Sequence, residues 1–179
     1  MRIAIDLDST LNNLNAVWLA RYNRDYNDNV RPEDITEWAT EKFVKCGIAI
    51  YSYLTPDLFA CLAPTPFSVE TTKKLSENHE LIVVSATTKP GNYDAKRYWL
   101  KQHFPHIKHF ISTDSKQFVS ANVLIDDGEH NLRAWPGIAI AYNQPWNQSF
   151  PGLRVYGWEG VPETIEGFKG VLPGLVNPY

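Results

Sequence analysis

Four short runs of valine and isoleucine constrain this chain most: "RIAIDL" (residues 2–7), "ELIVVSA" (80–86), "NVLID" (122–126) and "GIAIAY" (137–142). Each is almost continuously apolar and is bounded by polar residues, glycine or proline. A strand of this kind must be covered on both faces, which is the pattern of a parallel sheet between layers of helix. Helical spacing fills two of the gaps. In "PFSVETTKKLSENH" (66–79), Val69, Thr72 and Leu75 share a face. In "NYDAKRYWLKQHF" (92–104), Tyr93, Arg97, Leu100 and Phe104 do so, and Pro105 stops the helix. Strand–helix alternation predicts an open α/β sheet with right-handed crossovers.

The gap between the first two runs is far longer than one crossover needs. It holds three helix-like pieces, "LNAVWLARYNRDY", "RPEDITEWA" and "EKFVKCGIAIYSYL". They predict a small helical cap, residues 13–62, inserted after the first strand. Residues 1–12 and 63–179 then form the core domain, with a loosely held tail from Pro173 to Tyr179. A length of 179 residues and a hydrophobic content of 44% suit one domain with a real core. A net charge of −3 argues against a surface for coating a nucleic-acid polymer. Cys46 and Cys61 match no zinc or redox spacing. Met1 runs straight into a strand, so no signal peptide is expected. No apolar run approaches the ~20 residues of a membrane span. The expectation is a soluble cytoplasmic protein without membrane contact.

In open α/β sheets ligands sit at the carboxyl ends of the strands. There the first run delivers Asp6, Asp8, Ser9 and Thr10, the second Ser85, Thr87 and Thr88, and the third Asp126 and Asp127. Lys116 lies in the loop before the third. Crowded carboxylates repel one another unless a cation sits among them. Oxygen ligands without His or Cys suit Mg²⁺, with waters and a substrate phosphate completing its shell. Asp6 is placed to attack phosphorus, and Asp8, two residues on, to protonate the leaving oxygen. Ser85 and Lys116 would hold the phosphoryl oxygens. Taken singly, the same residues have plainer readings. Asp6, Asp8 and Ser85 could cap helices, Asp126 and Asp127 could form a turn, and Lys89 suits solvent. His103, His106 and His109 straddle a helix break and are read as surface residues.

These four motifs in order, "DLDST", the Ser85 of "VVSATT", Lys116 and "LIDD", resemble those of the haloacid dehalogenase-like (HAD) phosphatases. The resemblance implies a three-layer Rossmannoid domain with a parallel central sheet. More narrowly, "KQFVSANVLIDD", "LAPTPFSVETTKKL", "YDAKRYWLKQHF" and "AYNQPWN" resemble the 5'(3')-deoxyribonucleotidases. That likeness implies a Mg²⁺-dependent phosphomonoesterase acting on (deoxy)nucleoside monophosphates through an aspartyl-phosphate, as a monomer or homodimer. It implies metal ligation by Asp6, the Asp8 carbonyl and Asp127, with Asp126 as an outer partner. It implies phosphate contacts from Ser85, Ala86, Lys96 and Lys116, and a base pocket of Leu14, Trp38, Ala39 and Tyr53. Trp38 and Tyr53 fit the cap's own core equally well. Ser9, Ala86, Gly128, Leu14 and Tyr53 depart from the family pattern. Two rivals remain: an HAD phosphatase for another small ester, and a nucleotide- or phosphate-binding module without turnover.

Overall fold

The computed structural model describes residues 1–168, so the expected tail from Pro173 to Tyr179 lies outside the described residues. Six strands form one parallel sheet: β1 (Arg2–Asp6), β2 (Glu80–Ser85), β3 (His109–Ser112), β4 (Val123–Asp126), β5 (Ile138–Tyr142) and β6 (Leu153–Val155). Their order is β3-β2-β1-β4-β5-β6. Successive residues of a strand face opposite sides, and the core divides accordingly. Ile3, Ile5, Val83, Val123 and Ile125 enter the larger apolar cluster, while Ala4, Ile82, Val84 and Leu124 enter a smaller one. The larger cluster is covered by α3 (Ser68–Ser76), α4 (Asn92–His103) and α6 (Val161–Glu166). The smaller is covered at Trp135, just beyond α5 (Glu129–Ala134). Helices on both faces of a parallel sheet give three layers, the architecture expected from the four apolar runs.

The sequence reading missed β3 and β6, and each absence has a cause. β3 is an edge strand whose residues are mostly exposed, and β6 has one buried residue in three. Neither has two covered faces, so neither carries the apolar run that marks the other four.

The insertion after β1 begins with α1 (Leu14–Tyr26) and includes α2 (Pro56–Ala60). The two other helix-like stretches are not α-helices. They form three short 3₁₀ segments, Pro32–Asp34, Thr40–Lys42 and Gly47–Tyr53. Pro32 begins one, and Gly47 at φ +54 precludes a helix running through it. The two ends of the insertion are clasped together. Asn13 N donates to Ala63 O (3.1 Å), Ala63 N to the Asn13 side chain (2.8 Å) and Thr65 N to Leu11 O (2.9 Å). Trp18, Leu19, Tyr22, Ile50, Leu58 and Phe59 of the insertion join the same apolar cluster as Ile3 and Ile5 of β1. Cap and sheet therefore share one continuous core.

Two tryptophans pin this junction. Trp99 Nε1 on α4 donates to Leu62 O (2.8 Å), and Trp158 Nε1 donates to Thr10 O (3.0 Å) in the loop after β1. Trp158 is fully buried. Trp158→Phe removes the donor and some core volume, and is expected to cost roughly 1–3 kcal/mol. In a chain of this length that is a fall of several degrees in Tm, measurable by circular dichroism. An unchanged Tm would show that this hydrogen bond contributes nothing to holding the loop.

Candidate active site

The order of the strands reverses direction between β1 and β4, and the loops leaving them open a crevice there. Asp6 is the last residue of β1 and Asp126 the last of β4; both are buried. Like charges so placed need a counter-ion. Lys116, buried in a 3₁₀ turn before β4, supplies it: its ammonium pairs with Asp6 Oδ1 and lies 2.6 Å from Asp126 Oδ2. Asp126 also accepts from Gly128 N (2.7 Å) and from Asn131 Nδ2 (3.2 and 3.3 Å). A Cβ on Gly128 would sit 3.1 Å from Asp126 Oδ1 and 2.9 Å from His130 Cε1, so a side chain here requires the His130 ring to shift. Burial by itself disfavours the Lys116 ammonium, but Asp126 and Asp6 outweigh it and hold its pKa above the usual lysine range. Burial pushes the Asp6 carboxyl up to about 7; Lys116 pulls it down, and Asp126 and Asp8 add to the rise. Burial, followed by Asp6 and Asp126, also lifts Asp127 well above the ordinary carboxylate range.

A second ion pair lies beside the first. Lys96 Nζ, from α4, contacts Asp8 Oδ2 (2.5 Å), Ser85 Oγ (3.0 Å) and Ala86 O (2.7 Å), with the Phe59 ring centroid 4.7 Å away. Asp8 Oδ1 accepts from Asn12 Nδ2 (3.2 Å). Fully ionised, the four carboxylates (Asp6, Asp8, Asp126, Asp127) would exceed the two ammonium groups (Lys96, Lys116) by two negative charges, and the raised pKa values of Asp6 and Asp127 reflect that crowding. Asp6 Oδ2 is buried without any hydrogen-bond partner. Both facts are what a hard dication would answer. Among the described residues no three His, Cys, Asp or Glu side chains are disposed to hold a metal on their own. Mg²⁺ held by two carboxylates and a carbonyl, with water and substrate oxygens, needs no such trio.

The turn after Asp8 is held by side chains. Ser9 has φ +58, a left-handed conformation that glycine adopts without cost. Its N–H donates to Asn12 Oδ1 (3.1 Å), and its carbonyl accepts from Gln144 Nε2 (2.7 Å). The sequence departure at Ser9 is therefore absorbed by two fixed hydrogen bonds.

The cleft above these groups has a volume of about 350 Å³, within the range of small-ligand sites. Asp6, Asp8, Ser85, Ala86, Lys96 and Lys116 line its floor, with Asp126 and Asp127. Leu14 and Trp38 line its cap side, as expected. Trp38 is 55% exposed and meets the His130 ring edge-on at 4.7 Å, so it is not cap core. Two expectations fail. Ala39 and Tyr53 do not line the cleft. The Tyr53 hydroxyl instead donates to Asp25 Oδ2 (2.8 Å) on the outside of α1. Tyr51 and Tyr53 are two residues apart on one helical turn, so they point to different sides. Tyr51 is the one that faces in, against Trp18 at 5.6 Å, with its hydroxyl 2.5 Å from Glu41.

Sequence reasoning also missed Asn12, Asn131, Gln144 and Asn147. Asn147 Nδ2 donates to Asp127 O and Tyr142 O (both 2.9 Å). Buried amides that bond backbone carry no periodic signal, though Gln144 and Asn147 lie in the singled-out stretch "AYNQPWN". The three histidines have separate partners: His106 Nε2 meets Thr72 Oγ1 (2.8 Å), His103 packs on Trp99, and His109 lies 3.9 Å from Glu80.

Comparison with known proteins agrees with this geometry. The family model described as "5' nucleotidase, deoxy (Pyrimidine), cytosolic type C protein" matches residues 1–169. A 5'(3')-deoxyribonucleotidase of Clostridium acetobutylicum is 37% identical over 176 residues, covering 95% of this chain and 97% of that one. One of Bacillus subtilis is 34% identical over 167 residues, covering 91% and 97%. Among solved structures, a haloacid dehalogenase-like protein of Agrobacterium tumefaciens superposes with a TM-score of 0.66 at 12% identity, covering 93% of this chain and 98% of that one. An HAD hydrolase of Bacillus subtilis bound to magnesium superposes with a TM-score of 0.60 at 12% identity, covering 92% and 98%. The fold is thus HAD-like, and the chain belongs to the 5'(3')-deoxyribonucleotidase family of phosphoric monoester hydrolases.

Proposed function

We propose that this protein is a Mg²⁺-dependent phosphatase that hydrolyses (deoxy)nucleoside monophosphates through an aspartyl-phosphate on Asp6. The observation that carries the reading is the buried group of four carboxylates and two lysines under a cleft walled by aromatics. A charged group kept this dry is costly unless it serves a ligand. In this reading Asp6, the Asp8 carbonyl and Asp127 would hold Mg²⁺, with Asp126 anchored by Lys116 behind them. The ion would neutralise phosphoryl charge when bound.

The protein's own groups perform the rest. An Asp6 carboxylate oxygen attacks phosphorus as the ester P–O bond breaks, and Asp8 gives its proton to the leaving nucleoside oxygen. Water then attacks the aspartyl-phosphate, Asp8 takes the water's proton, and Asp6 is regenerated. Lys96, Lys116 and Ser85 hold the equatorial oxygens, whose charge grows toward the transition state. The cap, residues 13–62, presents Leu14, Trp38 and Tyr51 to the nucleoside. Free Cys46 and Cys61 fit a cytoplasmic setting, and no helix among the described residues is long and apolar enough to cross a membrane.

Three outcomes follow for this site. Asp6→Asn is expected to abolish phosphate release by many orders of magnitude while the protein stays folded. Easily measured turnover in a clean preparation of that variant would rule out the covalent route. Mg²⁺ is expected to raise Tm, and more at pH 8 than at pH 5. The pKa of Asp6 is lifted to about 7 and that of Asp127 is also raised, so below that pH protons compete with the cation for both carboxylates. A Tm indifferent to Mg²⁺ at pH 8 would remove the metal from the reading and favour a binding module. Trp38→Ala is expected to raise KM for a nucleoside monophosphate roughly tenfold, from a base-stacking contribution of about 1–3 kcal/mol. That loss should exceed the loss on p-nitrophenyl phosphate, which has no base. Equal losses on both substrates would discard the stacking role.

A further inference from the structure

Asn92, the first residue of α4, sits on the cleft wall and is 3% exposed. Its amide is oriented. Nδ2 donates to Leu54 O (3.1 Å), and turning the amide over would set two carbonyl oxygens against each other. Oδ1 is left buried with no hydrogen-bond partner. Three donors of this part of the wall are engaged elsewhere. Lys96 Nζ is on Asp8, Ser85 and Ala86, Lys89 Nζ is on Tyr51 O, and Leu54 N is on Tyr51 O. The nearby wall residues Leu54 and Phe59 offer no side-chain donor. An acceptor in this state on a cleft wall is stabilised by a donor that enters with the ligand.

Its place in the fold indicates which donor. Asn92 and Lys96 are four residues apart on one helix, so they lie on the same face, one turn of about 5.4 Å apart. Lys96 marks the phosphoryl end of the cleft through Asp8 and Ser85. The aromatic residues Trp18, Trp38 and Tyr51 line the cap side. One helical turn from the phosphoryl group, before the base, a nucleotide presents its sugar. We propose that Asn92 is a specificity-determining residue whose Oδ1 accepts a hydrogen bond from the free hydroxyl of the substrate's sugar. This assignment rests on the nucleotidase reading above.

The test compares thymidine 5'-monophosphate, whose only free sugar hydroxyl is at the 3' position, with its 3'-deoxy analogue. Each is assayed with Mg²⁺, and the quantity read is the ratio of their kcat/KM values. A site that hydrogen-bonds a substrate hydroxyl rejects the analogue lacking it, so the unmodified protein is expected to prefer the hydroxylated substrate by roughly tenfold or more. Asn92→Ala is expected to bring the ratio close to one, and Asn92→Ser, whose shorter side chain keeps the wall polar, to reduce it likewise. The ratio is internal to each preparation, so partial loss of folded protein does not affect it. A ratio near one in the unmodified protein, or one that survives both substitutions, would overturn the assignment while leaving the nucleotidase reading intact. Hydrolysis of p-nitrophenyl phosphate without hydrolysis of either nucleotide would instead overturn the nucleotidase reading, and this assignment with it.

Discussion

One buried ammonium, that of Lys116, allows the ends of β1 and β4 to lie side by side. The two strands are neighbours in the sheet, and the carboxylates Asp6 and Asp126 terminate them. Without a shared cation, two buried like charges at adjacent strand ends would cost several kcal/mol. Lys116 approaches from the turn immediately before β4, so a single short segment delivers both the acid and its counter-ion. The arrangement is electrostatically unfinished. Asp127 remains beside the pair with its pKa raised, and Asp6 Oδ2 has no partner. Carboxyl groups held back from ionising in this way are a standing demand for a cation, and they sit at the sheet's topological switch point.

The cap is built to keep that demand in place. Its apolar residues continue the core of the sheet, and its two ends are tied by backbone and side-chain hydrogen bonds. Asn12 lies in this clasp and does three things: it orients Asp8, accepts from Ser9 N, and accepts from Leu14 N at the start of α1. The loop carrying the acid is therefore locked to the first helix of the cap, and the upper wall of the cleft is set relative to its floor. Trp38 and His130 meet across the mouth from opposite sides.

The departures from the family pattern make sense in this setting. Ser9 stands in a left-handed turn, but flanking bonds from Asn12 and Gln144 over-determine its backbone. Ala86 contributes its carbonyl, not its side chain, to Lys96. Gly128 is hemmed in by Asp126 and His130 so closely that no larger residue fits without rearrangement. Neither Ser9 nor Ala86 removes a charged group from the cluster, whereas Gly128 stands where relatives commonly carry a basic residue.

How much of this was legible in the sequence depended on the kind of signal each feature leaves. The four apolar runs determined the parallel sheet, because only strands covered on both faces need such runs. The motif residues at their ends, Asp6, Asp8, Ser85, Asp126 and Asp127, were legible because strand ends in this architecture converge, and Lys116, in a loop, was legible only by its step to Asp126. The edge strands β3 and β6 left no such trace, since one exposed side relaxes the requirement. The cap pocket was only half legible: Leu14 and Trp38 line the cleft, Ala39 and Tyr53 do not, and Tyr51 takes the inward place. Which of Tyr51 and Tyr53 faces the cleft is decided by how the 3₁₀ segment packs on α1, with Tyr51 against Trp18 and Tyr53 bonded to Asp25, and the sequence carries no signal for that over so short a stretch. The buried amides of Asn12, Asn92, Asn131 and Asn147 were decided by tertiary structure alone. A polar side chain takes its role from the groups around it once it is buried, and those groups come together only when the chain has folded.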